Sequence, residues 1–302
     1  MNYNLITILG PTAVGKTRLG ALLAYKFGGE IISADSRQVY KGMDIGTGKD
    51  LSDYVVEGQS IEYYLIDVLN PDEEFNLFTF NKMFFESYDN IVSKNKIPFL
   101  VGGTGMYLHS VLKDYDLKEV EFNDDRYETL NKMEIDELRE YLKSISSNLH
   151  NTTDLLIKDR IIKAIIVAEK NETNDEVSKH KIKSLTIGVD VDRETVKKRI
   201  ADRLKNRLDN GMIEEVKGLL EKGISFEKLE FFGLEYKFIA RYLKNEFTRD
   251  ELFEKLNIAI RQFAKRQMTW YRKMEKEGIN IHWIAGSDYN AAEKLIIENY
   301  PV

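Results

Sequence analysis

The chain contains no cysteine, which excludes disulfides, thiolate zinc sites and cysteine nucleophiles and fits a reducing, cytoplasmic setting. Histidine is scarce as well. His109, His150, His180 and His282 are scattered without metal-ligand spacing and read as ordinary surface or packing residues. No apolar run approaches the ~20 residues needed to cross a bilayer. The start, Met1-Asn2-Tyr3-Asn4, carries no basic leader, so neither a membrane span nor a secretory signal is expected. Only four prolines interrupt the 302 residues, which leaves helices with few obvious breaks. Positive charge is not in excess: 44 Lys and Arg stand against 50 Asp and Glu, a net charge of −6. Proteins that bind nucleic acid over their whole surface are usually basic, so any such contact here must come from local patches. Nothing in the composition demands more than a monomer.

What is present is an alternation of short apolar runs with helical periodicity. Residues 5–9 read as a buried strand ending at Gly10, and residues 17–27 then place Leu19, Leu22, Leu23 and Phe27 on one side of a helix. Further strands are expected at 30–34, 63–68, 97–101, 185–191 and 279–284, and helices at 78–93, 193–222, 234–244 and 249–277. Strands alternating with helices imply a parallel sheet covered on both faces. The character changes near Asp114: residues 114–140 hold eleven acidic and four basic side chains, followed by helical patterns and a polar stretch at 171–183. The expected organisation is an α/β core from 1–113 and 183–302 with a helical insertion at 114–182.

Gly10-Pro11-Thr12-Ala13-Val14-Gly15-Lys16-Thr17 satisfies the phosphate-loop pattern G-x-x-x-x-G-K-[ST] in full. A strand precedes it and a helix follows, so the core is expected to resemble the P-loop nucleoside triphosphate hydrolases. The physics is direct. Unpaired N–H groups of the loop and first helical turn face inward, and the helix dipole favours an anion there. Lys16 adds a mobile positive charge, and the Thr17 hydroxyl can ligate Mg²⁺ that bridges phosphate oxygens. None of this names the phosphate compound.

Asp35 follows the strand 30–34, at the edge where open α/β sheets place their ligand crevice. It suits a general base, a Mg²⁺ partner or an acceptor for an amine, and equally a turn cap. Three classes stay open at this point: an ATP-using small-molecule kinase, a transferase with a diphosphate substrate, and a nucleotide-binding switch. The switch would use Tyr64-Leu65-Ile66-Asp67 as its apolar strand ending in an acid.

Several segments together resemble the tRNA dimethylallyltransferases (isopentenyltransferases). They are residues 10–17, Asp35-Ser36-Arg37-Gln38-Val39-Tyr40, Gly42-Met43-Asp44-Ile45-Gly46-Thr47-Gly48-Lys49, Leu65-Ile66-Asp67 with Pro71, Val101-Gly102-Gly103-Thr104-Gly105-Met106-Tyr107, and Arg261-Gln262-Phe263-Ala264-Lys265-Arg266-Gln267-Met268-Thr269-Trp270. The resemblance implies that the loop holds the diphosphate of dimethylallyl diphosphate and that an adenine amine attacks the allylic carbon as pyrophosphate leaves. Lys16, the loop amides and Mg²⁺ would stabilise the leaving group. Asp35 would orient the amine and take its proton, and Thr104 would help hold the adenine or the diphosphate.

The same resemblance implies a tRNA partner, modified at the adenosine just 3′ of the anticodon. That base must leave its stack to be reached. Asp35, Ser36, Arg37 and Gln38 would contact it, and Asp159, Arg160, Ile161, Ile162 and Lys163 resemble an RNA-contacting helix of the insertion. Two basic stretches could follow a phosphate backbone: Lys197, Lys198, Arg199, Arg203, Lys205 and Arg207, then Arg261, Lys265, Arg266, Arg272 and Lys273. The chain departs from the family pattern at Glu230, Leu234 and Glu235, where a basic residue, a tyrosine and a basic residue are usual. It departs again at His150-Asn151-Thr152-Thr153-Asp154 and in its acidic 114–140 stretch. These departures keep a second acceptor in view, the free adenine nucleotides AMP, ADP and ATP.

Overall fold

The computed structural model describes residues 3–115, 117, 124–145, 155, 157–171 and 181–300. The elements begin with β1 (Leu5–Leu9), α1 (Lys16–Phe27) and β2 (Gly29–Ala34), then a 3₁₀ turn (Leu51–Tyr54) and the two-residue strands β3 (Val55–Val56), β4 (Gln59–Ser60) and β5 (Tyr63–Tyr64). Next come α2 (Leu77–Ser93), β6 (Ile97–Gly102), α3 (Gly105–Leu112), α4 (Asp124–Asn131), α5 (Ile135–Ile145) and α6 (Lys158–Asn171). The chain continues through β7 (Ser184–Asp190), α7 (Arg193–Asp209), α8 (Met212–Glu221), α9 (Phe226–Phe232) and α10 (Leu234–Leu243) to α11 (Arg249–Lys276), β8 (Ile281–Ala285) and α12 (Tyr289–Asn299). Two compact units result: Met1–Asp114 with Ile182–Val302, and Tyr115–Lys181.

In the larger unit six strands form one sheet in the order β5-β2-β6-β1-β7-β8, with every pairing parallel. Every residue of β1 and β2 is buried, as a parallel sheet covered on both faces requires. Register positions the site. Leu9 of β1 and Ala34 of β2 both lie opposite Gly102 of β6, so three strands end level with one another. The segments that leave those ends, starting at Gly10, Asp35 and Gly103, therefore emerge side by side.

Two expected elements differ. The strand 63–68 stops after Tyr64, because Leu65 and Asp67 adopt left-handed backbone, φ 64° and 55°. Asp67 then pairs with the buried Lys49. The helix 193–222 is two helices, α7 and α8, separated at Gly211, whose φ of 98° suits glycine. In α7 the Asp192 side chain caps the first turn by accepting from the Thr195 N–H at 2.9 Å.

The smaller unit packs α4, α5 and α6 around Leu130, Leu138, Leu142, Ile161, Ile162, Ile165 and Ile166. Arg126 Nε donates to Glu169 at 3.1 Å, and the Tyr141 hydroxyl donates to the same carboxylate at 2.8 Å. This corrects part of the expected RNA contact. Ile161 and Ile162 are fully buried in this unit's own core, so they cannot meet an RNA, while Arg160 is exposed. Asp159 accepts from the Tyr127 hydroxyl at 2.8 Å and pairs with Lys163 at 3.3 Å. His180 and the departure at 150–154 lie outside the described residues.

Candidate active site

The level strand ends open into a cleft of about 320 Å³. The phosphate loop forms one wall, and Ala13 within it is held in left-handed backbone at φ 67°, strain of the kind that collects at functional sites. The loop is tied from two helices. From α11, Gln267 accepts from the Thr12 N–H at 2.8 Å and donates to the Gly103 carbonyl at 2.8 Å. One turn on, the buried Tyr271 hydroxyl donates to the Gly10 carbonyl at 2.8 Å. From α7, Arg203 donates to the Thr12 hydroxyl at 2.6 Å.

Of the residues singled out in the loop, Thr12, Ala13, Gly15, Lys16 and Thr17 line the cleft, as do Asp35, Arg37 and Gln38. Gly10, Pro11 and Val14 are buried behind it. Thr104 does not line it: its hydroxyl accepts from the Ser36 N–H at 3.1 Å, a contact that fixes the Asp35 turn. That contact uses a lone pair of the hydroxyl oxygen and leaves its proton to donate elsewhere. The Arg37 N–H donates to Asp35 Oδ1 at 3.0 Å.

The cleft lining also contains residues whose place was not read from the sequence. Arg199, Arg203 and Arg207, four apart on α7, all face the cleft, a spacing that marks one helix face. Phe263 and Gln267 of α11 join them, whereas Arg261, Lys265 and Arg272 line a separate groove of about 800 Å³. Burial pushes Lys16 down to about 8, against the pull of Asp35 and with a further push from Arg203. Burial also pushes Arg203 down to about 10, aided by Arg207. For Arg37 burial acts in the same sense, but Glu235 and then Asp35 outweigh it and its affinity for the proton rises.

The departures resolve differently. Glu230 is not in the cleft; it accepts from Lys244 Nζ at 2.8 Å. Glu235 does face the cleft and is paired there with Arg37. Asp67, the acid a switch would use, is absent from the lining and bound to Lys49. For a cation, the cleft offers hard oxygens: the Thr17 hydroxyl and the carboxylates of Asp35, Asp50 and Asp53. Among the described residues no three His, Cys, Asp or Glu gather as a metal cage. Hard oxygens of this kind are the donor type that Mg²⁺ takes, one or two from a protein together with waters and substrate phosphates. His109, by contrast, is buried against Glu277 at 2.6 Å.

A family model described as IPP transferase matches residues 38–274. The tRNA dimethylallyltransferase 1 of Geotalea daltonii is 50% identical over 98% of this chain and 95% of its own length. The tRNA dimethylallyltransferase 2 of Phocaeicola vulgatus is 51% identical over 93% of this chain and 92% of its own. Among solved structures, the tRNA isopentenylpyrophosphate transferase of Bacillus halodurans superposes with a TM-score of 0.70 at 29% identity, covering 98% of this chain and 95% of that one.

Proposed function

The chain belongs to the IPP transferase family, and from that premise we propose that it transfers a dimethylallyl group from dimethylallyl diphosphate to the N6 amine of the adenosine next to the tRNA anticodon, releasing pyrophosphate. The observation that carries this reading is the convergence of the phosphate loop, Asp35 and the α7 arginines on one cleft. The nitrogen lone pair forms the new bond to the allylic carbon while the carbon–oxygen bond breaks and its electron pair leaves with pyrophosphate. The amine's proton passes to Asp35. Because positive charge spreads over the allylic system, the protein's main tasks are alignment and stabilisation of the leaving group. Lys16, Arg199, Arg203 and the loop amides serve the second task. Mg²⁺, held by Thr17 and the substrate's own oxygens, would add charge neutralisation there. A base held in the stack of an RNA loop cannot bring its amine into an enclosed cleft, so the adenosine must leave its stack. No described helix is long and apolar enough to cross a membrane.

Asp35→Ala tests the assignment. It should retain donor binding while turnover drops by roughly 10²-fold or more, the scale of a lost general base. Unchanged turnover would remove Asp35 from the mechanism.

A further inference from the structure

One charge arrangement in the cleft is not used by the chemistry above. Arg37 lies two residues from Asp35, and its own N–H donates to that carboxylate at 3.0 Å. Its guanidinium nevertheless pairs with Glu235 at the start of α10. The pair is enclosed, with side-chain exposures of 16% for Arg37 and 4% for Glu235. The Phe263 ring of α11 packs against the guanidinium at 5.8 Å, a cation–π contact that adds to the hold. Three elements distant in sequence thus fix one arginine.

The position of Glu235 is odd for a cleft that receives a diphosphate, since a bare carboxylate there would repel the ligand. Without it, the Arg37 guanidinium would be an uncompensated buried cation with two anions to choose from, the adjacent Asp35 and the donor's phosphates. Either choice harms the transfer. Pairing with Asp35 ties up the group that receives the amine's proton. Pairing with the diphosphate would draw the donor away from Lys16, Arg199 and Arg203, the cations placed to stabilise the leaving group. We propose that Glu235 is a positioning residue for the transfer reaction, holding the Arg37 guanidinium off the Asp35 carboxylate and off the donor's diphosphate. This rests on the reading of Asp35 as the amine's base. It also sorts the charges of the cleft lining: Lys16, Arg199 and Arg203 supply the anion-binding charge, while Glu235 cancels that of Arg37 and leaves Asp35 as the carboxylate that meets the amine.

The test is a double-mutant cycle on the full-length chain: wild type, Glu235→Gln, Arg37→Gln and the double variant. Two quantities are read, kcat for transfer to tRNA and the Kd of inorganic pyrophosphate with Mg²⁺. In the wild-type background Glu235→Gln should lower kcat roughly tenfold and tighten pyrophosphate several-fold, a coupling typical of contacting residues. In the Arg37→Gln background, where Glu235 is left as a bare carboxylate, the same change should move kcat by less than about twofold. Equal losses in both backgrounds, or pyrophosphate binding that is unchanged or weaker in Glu235→Gln, would overturn the proposal. If Glu235→Gln alone fails to fold, Arg37→Gln and the double variant, which leaves no unpaired buried ion, still decide: a roughly tenfold kcat difference between them overturns it. The pyrophosphate titration needs no turnover. A wild-type chain without transferase activity would therefore count against the transfer reading, while the titration would still decide the role of Glu235.

Discussion

Lys16 is the residue at which the chemistry of the cleft is most directly readable. Burial lowers it from 10.5 to about 8, so the ligand-free site holds a lysine close to losing its proton. In the unfolded chain the same lysine keeps its ordinary affinity. Between those two values the unfolded chain binds more protons than the folded one, so this residue's contribution to stability rises with pH across the window and its cost is fully present below it. Anion binding has the opposite sign. Pyrophosphate favours charged Lys16, so its affinity should fall as pH climbs above about 8 and its binding should take up protons there. Calorimetry in buffers of different ionisation heat measures both, and an affinity flat through that window would contradict the placement of Lys16 at the anion. Lys16 and Asp35 were legible from sequence because each sits in or beside a local strand–turn–helix pattern. The Arg37–Glu235 pair was not, since its members are 198 positions apart and neither carries a local signal of the other. Thr104 was legible by its strand-end location, but its acceptance of the Ser36 N–H was not, being a choice among nearby donors that sequence does not reveal.

At the scale of elements, α11 connects the phosphate loop to the end of β6. Its Gln267 is 5% exposed and satisfies both the Thr12 N–H and the Gly103 carbonyl. Gln267→Ala should destabilise the chain by about 1–3 kcal/mol, the cost of stranding buried polar groups, and should also weaken pyrophosphate binding. Thr248→Ala removes the capping box at the far end of the same helix and should cost about 1 kcal/mol with pyrophosphate affinity unchanged. Thermal melts paired with titrations separate the two. Similar affinity losses in both variants would mean that helix stability, not the Gln267 bridge, governs the loop. The helices α1, α2 and α11 were legible because their apolar periodicity is strong. The break at Gly211 and the early stop of β5 were not: the first interrupts a continuous helical pattern, and the second depends on left-handed backbone at Leu65 and Asp67, residue types that give little warning of it. The arginine face of α7 could have been found, since Arg199, Arg203 and Arg207 recur at helical spacing. Its direction, into the cleft, is set by packing of Val196, Ile200, Leu204 and Leu208 on the neighbouring stripe of the helix.

For the whole molecule, the division of labour follows from where the cores lie. Every residue that lines the cleft belongs to the unit formed by Met1–Asp114 and Ile182–Val302, and the helices α4, α5 and α6 have an apolar cluster of their own. Replacing 115–181 by a short Gly/Ser linker should therefore leave the pyrophosphate affinity within about threefold of the intact chain, on the reasoning that a unit with its own core and no residue in the cleft lining contributes little to it. Loss of that affinity would show that the insertion supports the phosphate site. The parallel sheet and the change of character near Asp114 were both visible as patterns, whereas the burial of Ile161 and Ile162 depends on which face of α6 the neighbouring helices cover. The central claim, transfer of a dimethylallyl group to a tRNA adenosine, is tested most directly by offering labelled dimethylallyl diphosphate and Mg²⁺ with unmodified tRNA in one tube and AMP in another. Label should enter tRNA and not AMP. Label in AMP alone, or in neither, would contradict it.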